Sequence, residues 1–199
     1  MSQDDHPALG LRERKKAKTR AAIQRHAFRL FREQGYEATT VSQIAEAAEI
    51  SPSTFFRYFP SKEDVALYDD LDPYFLAAFE AQPPELSPIE AMRRALRTVF
   101  DSLPPEEAEQ QWARGRLTIA VPELRQRMLD QVAGAVDLIA QMLAKRIGRS
   151  PDDLEVRTFA GAITGGLMAA MLTGMQGPSA NFVELADAAL AYIEAGMPI

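Results

Sequence analysis

Between Thr39 and Val65 the chain reads TTVSQIAEAAEISPSTFFRYFPSKEDV, a run in which helix starts follow one another at short intervals. Thr40 can N-cap a helix, and Gln43, three residues on, completes a capping box. Ile44, Ala45 and Ala48 then share one face. Ala45 is small enough to let a second helix pack close, and Ile50 is expected as a buried plug at the turn. Ser51 can cap that second helix, and Pro52 suits its first position, where the missing N–H costs nothing. Phe55 and Phe59 stand at i, i+4 and should face inward. Ser53, Thr54, Phe56, Arg57 and Tyr58 are left nearer the outside. Ser61 can cap a third helix, with Glu63 and Asp64 favoured in its first turn by the helix dipole. Two short helices across a tight turn, the second with a polar and aromatic outer face, suit insertion into a DNA groove.

Charge is distributed to match. The whole chain carries −6, which excludes a uniformly basic nucleic-acid coat. Residues 1–62 hold 11 Lys/Arg and 7 Asp/Glu, a net +4, while residues 63–199 hold 11 and 21, a net −10. From Arg12 to Arg32 there are nine basic residues and a single acid, Glu13. A cationic end can neutralise phosphates while an acidic body stays off the duplex.

The run Ile50, Ser51, Pro52, Ser53, Thr54, Phe55, Phe56, Arg57, Tyr58, Phe59, Pro60, Ser61, Lys62, Glu63 resembles the recognition-helix pattern of the TetR family of transcriptional repressors, Val-Ser-x-Gly-Thr-[Leu/Phe]-Tyr-x-Tyr-Phe-x-[Ser/Asn]-Lys-Glu. With the preceding helix the resemblance covers about Lys15 to Leu67; beyond that only the layout of helices is similar. Ser53 stands where Gly is frequent. Phe56 replaces the first Tyr and so lacks a hydroxyl that often meets a phosphate. The resemblance implies that Thr40, Tyr58 and Lys62 contact the DNA backbone, with Ser42 at the same surface. Pro52, Ser53 and Thr54 would face bases, and Phe56 would pack on a thymine methyl. Arg57 is open between a base and a phosphate.

The rest of the chain reads as helices punctuated by Pro and Gly, an all-α fold of about nine helices. The expected division is a disordered arm over 1–11, a helix-turn-helix domain over 12–62 and a ligand-binding, dimerising body over 63–199. The first helix runs from about Arg12 to Gln34. The fourth runs from Ser61 to about Ala81, kinked or broken by Pro73. Ser87-Pro88-Ile89-Glu90 is a second capping box, opening a fifth helix that Pro104-Pro105 stops. A sixth holds Trp112, Leu117 and Ile119. Pro122 opens a long seventh, ending at Gly148. Ser150-Pro151 starts an eighth, to about Gly174, and a ninth covers roughly 181–195.

The body has two expected tasks. A single helix-turn-helix reads one half-site, so such proteins act as dimers. FAGAITGGLMAAMLTGM in the eighth helix is apolar nearly all round and must be buried on more than one side. Gly161, Gly165 and Gly166 allow close approach. The family resemblance implies a homodimer through the eighth and ninth helices. It also implies a pocket for a small-molecule effector among the fourth to eighth helices, with Phe75, Phe79, Met92, Leu96, Phe100, Trp112, Arg116 and Leu117 as lining. Plain core packing is the competing reading of each apolar residue. Residues 114–127 are similar to a subset of these regulators that takes acyl-CoA-like ligands. Arg93, Arg94, Arg97, Arg114 and Arg116 would then serve phosphates, or else form an ordinary solvated face.

Other classes fit poorly. The chain has no Cys, hence no disulfide, thiol nucleophile or thiolate metal site. His6 and His26 have no metal-ligand or triad partner close in sequence, and no Gly-rich phosphate loop is present. Neither a metal nor a cofactor is expected, and the protein is not expected to be an enzyme. No apolar h-region follows the start, which points to the cytoplasm. Residues 158–183 are uncharged, but their truly apolar part, 159–175, falls short of the ~20 residues a membrane span needs. The alternatives that remain are a helical adaptor that binds only protein, and a regulator whose body only dimerises.

Overall fold

The computed structural model describes residues 11–68, 71–174 and 182–198, which form eleven α-helices and no strand. The expected arm lies outside the described residues except for Leu11. The chain divides into two compact units, Met1–Tyr68 and Asp69–Ile199.

The first unit, the head, contains α1 (Leu11–Gln34), α2 (Val41–Ala47), α3 (Pro52–Tyr58) and α4 (Lys62–Leu67). Ile23, Ala27 and Phe31 form the buried stripe of α1 at i, i+4, i+8. Gly35 ends the helix: it takes φ +86°, and its N–H still reaches the Phe31 carbonyl at 3.0 Å. The short helices survive through capping and burial rather than length. Thr40 forms the complete capping box with Gln43, Ser51 caps α3 and Ser61 caps α4. Ile44, Ala45, Phe55, Val65 and Ala66 are fully buried. Removing a side chain the size of Ile44 or Phe55 from water contributes about 1.5–3 kcal/mol each. Phe59 links Phe55, at 6.2 Å between ring centroids, to Tyr68, at 5.5 Å.

The helix expected from Ser61 to Ala81 is two helices in two units. α4 stops at Tyr68, and α5 (Asp72–Glu80) starts afresh with Pro73 in its first turn. Pro is tolerated in a first turn and not in a helix interior, so Pro73 restarts a helix instead of bending one. The Gln24 amide holds α4 to α1 by donating to the Val65 and Tyr68 carbonyls at 3.1 and 3.0 Å. The head therefore extends past Lys62 to Tyr68.

The body contains α5, α6 (Pro88–Ser102), α7 (Pro105–Ala120), α8 (Pro122–Asp130), α9 (Val132–Ile147), α10 (Leu154–Gly174) and α11 (Phe182–Glu194). The expected seventh helix is interrupted at one residue, Gln131, whose N–H is shared between the Arg127 and Met128 carbonyls. The expected eighth and ninth helices are α10 and α11. Phe79, Ile89, Met92, Ile139, Leu143, Val156, Ile163 and Leu190 make the main core, drawn from α5, α6, α9, α10 and α11. A smaller cluster of Leu96, Ala170 and Ala186 adjoins Phe75, Phe100, Phe182 and Leu185. Gly166 permits the α10–α11 crossing, since a Cβ there would lie 2.8 Å from Ile193 Cδ1. Gly161 and Gly165 have nothing within 4 Å of the corresponding position. With 21 residues and a mean hydropathy of 1.2 over its most apolar window, α10 is longer than its uncharged core suggested. By length and composition alone it could cross a bilayer.

Candidate nucleic-acid interface

The turn between α2 and α3 is a Schellman motif. Ile50 N–H reaches the Ala45 carbonyl at 2.9 Å, and Glu49 N–H reaches the Glu46 carbonyl at 3.0 Å. Its left-handed position, usually Gly, is held by Glu49 at φ +56°. Ile50 is half-buried, less enclosed than the plug expected there. At the start of α3 the Ser51 hydroxyl accepts from Thr54 N–H at 3.1 Å, donates to the Thr54 hydroxyl at 3.0 Å and lies 2.9 Å from the Ser53 hydroxyl. This network fixes the first turn of α3, where a recognition helix meets base edges.

Pro52, Ser53, Phe56 and Arg57 are exposed, while Thr54 and Tyr58 are half-buried. Phe56 is 54% exposed and meets Phe55 edge-on at 5.5 Å. A large apolar ring left in water beside a buried one has no role in the core of the head. The Arg57 guanidinium lies over the Tyr58 ring, 5.5 Å from its centroid. Both residues line a groove of about 420 Å³ with Arg12, Lys15 and Lys16. The basic run of α1 thus converges on the end of α3. Sequence reading saw the cationic run but assigned none of its residues to the site, because the juxtaposition depends on how α1 packs.

Thr40 and Ser42 are exposed at the start of α2, with the Thr40 hydroxyl engaged in its cap. Lys62 is not simply displayed to solvent. Its ammonium donates to the Tyr36 carbonyl at 2.9 Å and the Thr39 carbonyl at 3.1 Å, 4.1 Å from the Tyr36 ring centroid. Two of its three protons are spent holding the α1–α2 turn, which sets where Thr40 stands.

In the body, the expected pocket residues fall into two groups. Phe79 and Met92 are sealed in the main core. Phe75, Phe100, Trp112 and Leu117 are half-buried, Leu96 belongs to the smaller cluster, and Arg116 is exposed on α7. Phe182 joins the aromatics, with its centroid 5.8 Å from Phe100 and 6.1 Å from Trp112. It sits twelve residues beyond Ala170 and carried no periodic signal toward α7. A body groove of about 330 Å³ lies instead among Pro88, Leu143, Ile147, Val156 and Phe159, and shares none of the expected residues.

Of the arginines offered either to phosphates or to a solvated face, Arg93, Arg94 and Arg97 are committed to carboxylates. Arg93 makes a two-pronged pair with Asp187, at 2.9 and 3.2 Å, and also meets Glu90 at 3.2 Å and Glu194 at 3.1 Å. Arg97 reaches Asp187 at 2.5 Å, and Arg94 reaches Glu90 at 2.8 Å. The hydrogen bond from Arg93, aided by Arg97, holds the Asp187 carboxyl below the ordinary carboxylate value. Glu90 was expected to close a capping box with Ser87. Its carboxylate goes to the arginines, and Ser87 donates to Glu194 at 2.7 Å. The cluster ties α6 to α11 and neutralises Arg93, Arg94 and Arg97.

Comparison with known proteins identifies the frame. Residues 23–68 match the family of bacterial regulatory proteins, tetR family, and residues 86–198 match the MftR C-terminal domain. The chain is 42% identical to the HTH-type transcriptional regulator TcmR of Streptomyces glaucescens over 151 residues, 72% of this chain and 67% of that protein. It is 27% identical to the putative mycofactocin biosynthesis transcriptional regulator MftR of Mycobacterium tuberculosis over 187 residues, 92% and 93% of the two chains. Among solved structures it is similar to SmeT of Stenotrophomonas maltophilia in complex with triclosan, at 18% identity and TM-score 0.61, over 90% and 91% of the chains. The fatty acid degradation regulator FadR of Bacillus halodurans matches at 22% and 0.59, over 90% and 96%. The chain belongs to the TetR family of bacterial regulatory proteins and is a DNA-binding transcriptional regulator of the helix-turn-helix type.

Proposed function

We propose that this regulator is a homodimeric repressor that a small-molecule effector releases from its operator. The observation that carries the DNA half is the convergence of Arg12, Lys15, Lys16 and Arg57 beside the exposed edge of α3. Pro52, Ser53, Thr54 and Phe56 form the base-facing surface. Thr40, Ser42, Tyr58 and the basic groove face the phosphates, and Lys62 braces the turn behind them. In a dimer the two α3 helices would enter successive major grooves about 34–36 Å apart.

Dimerisation through α10 and α11 is supported by what α10 leaves uncovered. Gly165, Ala169 and Leu172 are exposed on a helix that packs against α9 and α11 and leaves much of its apolar surface open. A second copy of the same face would bury them. The small cluster around Leu96, Phe100, Trp112 and Phe182 is the effector site this reading favours, with Phe75, Leu117 and Arg116 at its margins. SmeT has been solved with triclosan, and Thermus thermophilus FadR with lauroyl-CoA. An effector must bind the released state better than the DNA-bound one, since equal affinity shifts nothing. The cytoplasm, where the chromosome lies, is the compartment this function requires.

The test is binding of the purified protein to DNA fragments from upstream of its own gene across a salt series. A repressor should show a steep linear fall of log affinity with log salt. A protein-only adaptor should show weak, salt-insensitive retention, and that result would overturn the reading.

A further inference from the structure

We infer that the Gln43 side chain is a DNA-backbone ligand: its amide NH2 group, turned outward at the start of α2, donates to a phosphate oxygen. The inference rests on the reading that puts Thr40 and Ser42 against the backbone, and adds a residue to it. Sequence pattern accounts for Gln43 entirely as the partner of Thr40 in a capping box, but the cap uses only half of the amide. Gln43 Oε1 accepts from Thr40 N–H at 2.8 Å, from the Thr40 hydroxyl at 3.1 Å and from Gln34 Nε2 at 3.1 Å. Gln34 is itself held by donating to the Thr39 hydroxyl at 3.2 Å, and Thr39 is buried. Three donors on one oxygen fix the polarity of the Gln43 amide, because the flipped amide would set N–H against N–H. The Gln43 side chain is exposed, and its Nε2 has no acceptor among the described residues.

The placement of protons moves the donor role from Thr40 to Gln43. The Thr40 hydroxyl accepts from Gln43 N–H at 3.2 Å and gives its one proton to Gln43 Oε1. It keeps a lone pair but no proton for a phosphate, whose oxygens only accept. Gln43 keeps two amide protons. A base edge suits them poorly: the bidentate reading of adenine takes both the oxygen and the nitrogen of one amide, and this oxygen is committed. Charge favours a neutral donor at this place. Glu37 and Glu46 are exposed, three residues before Thr40 and three after Gln43. Either acid would draw a lysine or arginine at position 43 to itself, whereas an uncharged amide stays available to the duplex.

The test uses the full chain and a duplex carrying its operator, found by footprinting on DNA upstream of its gene, with single phosphates replaced in turn by neutral methylphosphonate. Gln43→Ala should weaken binding about tenfold, the scale of one hydrogen bond to a charged group, and leave the salt slope unchanged because no charge is lost. One methylphosphonate position in each half-site should weaken the wild type and have no effect on Gln43→Ala. Gln43→Glu keeps the capping oxygen and turns a carboxylate oxygen outward. It should unfold at the wild-type temperature or above, and bind more weakly than Gln43→Ala. Ser42→Glu reports independently on whether this edge of α2 meets the backbone. Weakening by Ser42→Glu, with wild-type binding by both Gln43 variants, would overturn the inference and leave the placement standing. Wild-type binding by all three would overturn the placement as well. The inference also fails if Gln43→Ala changes the preferred base at any position, or stays sensitive to every methylphosphonate that weakens the wild type.

Discussion

The Lys62 ammonium donates to the Tyr36 carbonyl at 2.9 Å while lying 4.1 Å from the centroid of the same residue's ring. Tyr36 is buried, and its hydroxyl donates to Glu63 Oε1 at 3.0 Å, so α4 grips the α1–α2 turn at two points. The turn ends at Thr40, the cap of α2. We propose that Lys62 acts on DNA through position, by holding the turn before Thr40. Lys62→Met should destabilise the head by about 1–2 kcal/mol, the scale of charged hydrogen bonds lost. It should lower DNA affinity without changing the salt slope. A slope reduced by about one would instead make Lys62 a phosphate ligand.

Arg57 stands apart from Lys62 because its guanidinium faces the groove shared with Arg12, Lys15 and Lys16. Its guanidinium lies 5.5 Å from the Tyr58 ring centroid, and both residues line that basic groove, which favours a phosphate over a base edge. Arg57→Ala should weaken binding to all sequences alike and lower the salt slope by about one. Binding-site selection with the variant should return the wild-type preferred sequence. A relaxed preference at one base position would assign Arg57 to a base edge.

Glu49 occupies the one left-handed position in the helix-turn-helix, at φ +56°, and is exposed. For a residue with a Cβ that conformation costs roughly 1 kcal/mol. Glu49→Gly should raise the stability of the head by about 0.5–1 kcal/mol, partly offset by the freer unfolded chain. Amide exchange of Ile44 and Phe55 should slow accordingly. Faster exchange would mean that the Glu49 side chain contributes more than its backbone loses.

The head was legible in the sequence because its signals are local. Thr40, Gln43, Ser51, Pro52 and Ser61 act within four residues of themselves, so composition and spacing determine the caps. The inward ring pair Phe55 and Phe59 is likewise a matter of helical period. Two things were not legible, each depending on distance along the chain. Lys62 reads as a surface cation until the fold brings the Tyr36 and Thr39 carbonyls beneath it. Arg93 reads as open between a phosphate ligand and a solvated face until Asp187, 94 residues away, arrives on α11. Pro73 was legible as a break, but not as the start of a helix in a separate unit.

The α6–α11 cluster makes the body sensitive to acid. Asp187 is held below its ordinary value by Arg93 first and Arg97 second. A carboxylate depressed in the folded state contributes stability that is fully present above its unfolded value, near 3.8, and is lost as pH falls through the folded one. Asp187→Asn should therefore cost about 1–2 kcal/mol near neutrality, reflecting charged hydrogen bonds that stay partly solvated. The gap from wild type should narrow below about pH 4 and close in stronger acid. Urea unfolding followed by Trp112 fluorescence at several pH values measures it. A gap constant down to pH 2 would show that packing, and not charge, sets the contribution of Asp187.

The glycines of α10 separate contacts within one chain from contacts between two. Gly166 faces Ile193 so closely that Gly166→Ala must displace the isoleucine or the helix. That variant should lower the stability of the body, with dimer dissociation only as a consequence. Gly165 has no heavy atom within 4 Å of a Cβ position, and both Gly165 and Ala169, four residues on, are exposed in the single chain. A lone chain should accept Gly165→Arg or Ala169→Arg with little strain beyond helix propensity. In a dimer across this face, either arginine would bury an unpaired charge, a cost of several kcal/mol. The expected outcome is a folded, helical protein that sediments as a monomer and binds DNA with much reduced affinity, because each half-site is then read alone. A variant that stays dimeric at micromolar concentration would remove α10 from the interface. A variant that loses its helicity would show that this face is packed within one chain after all.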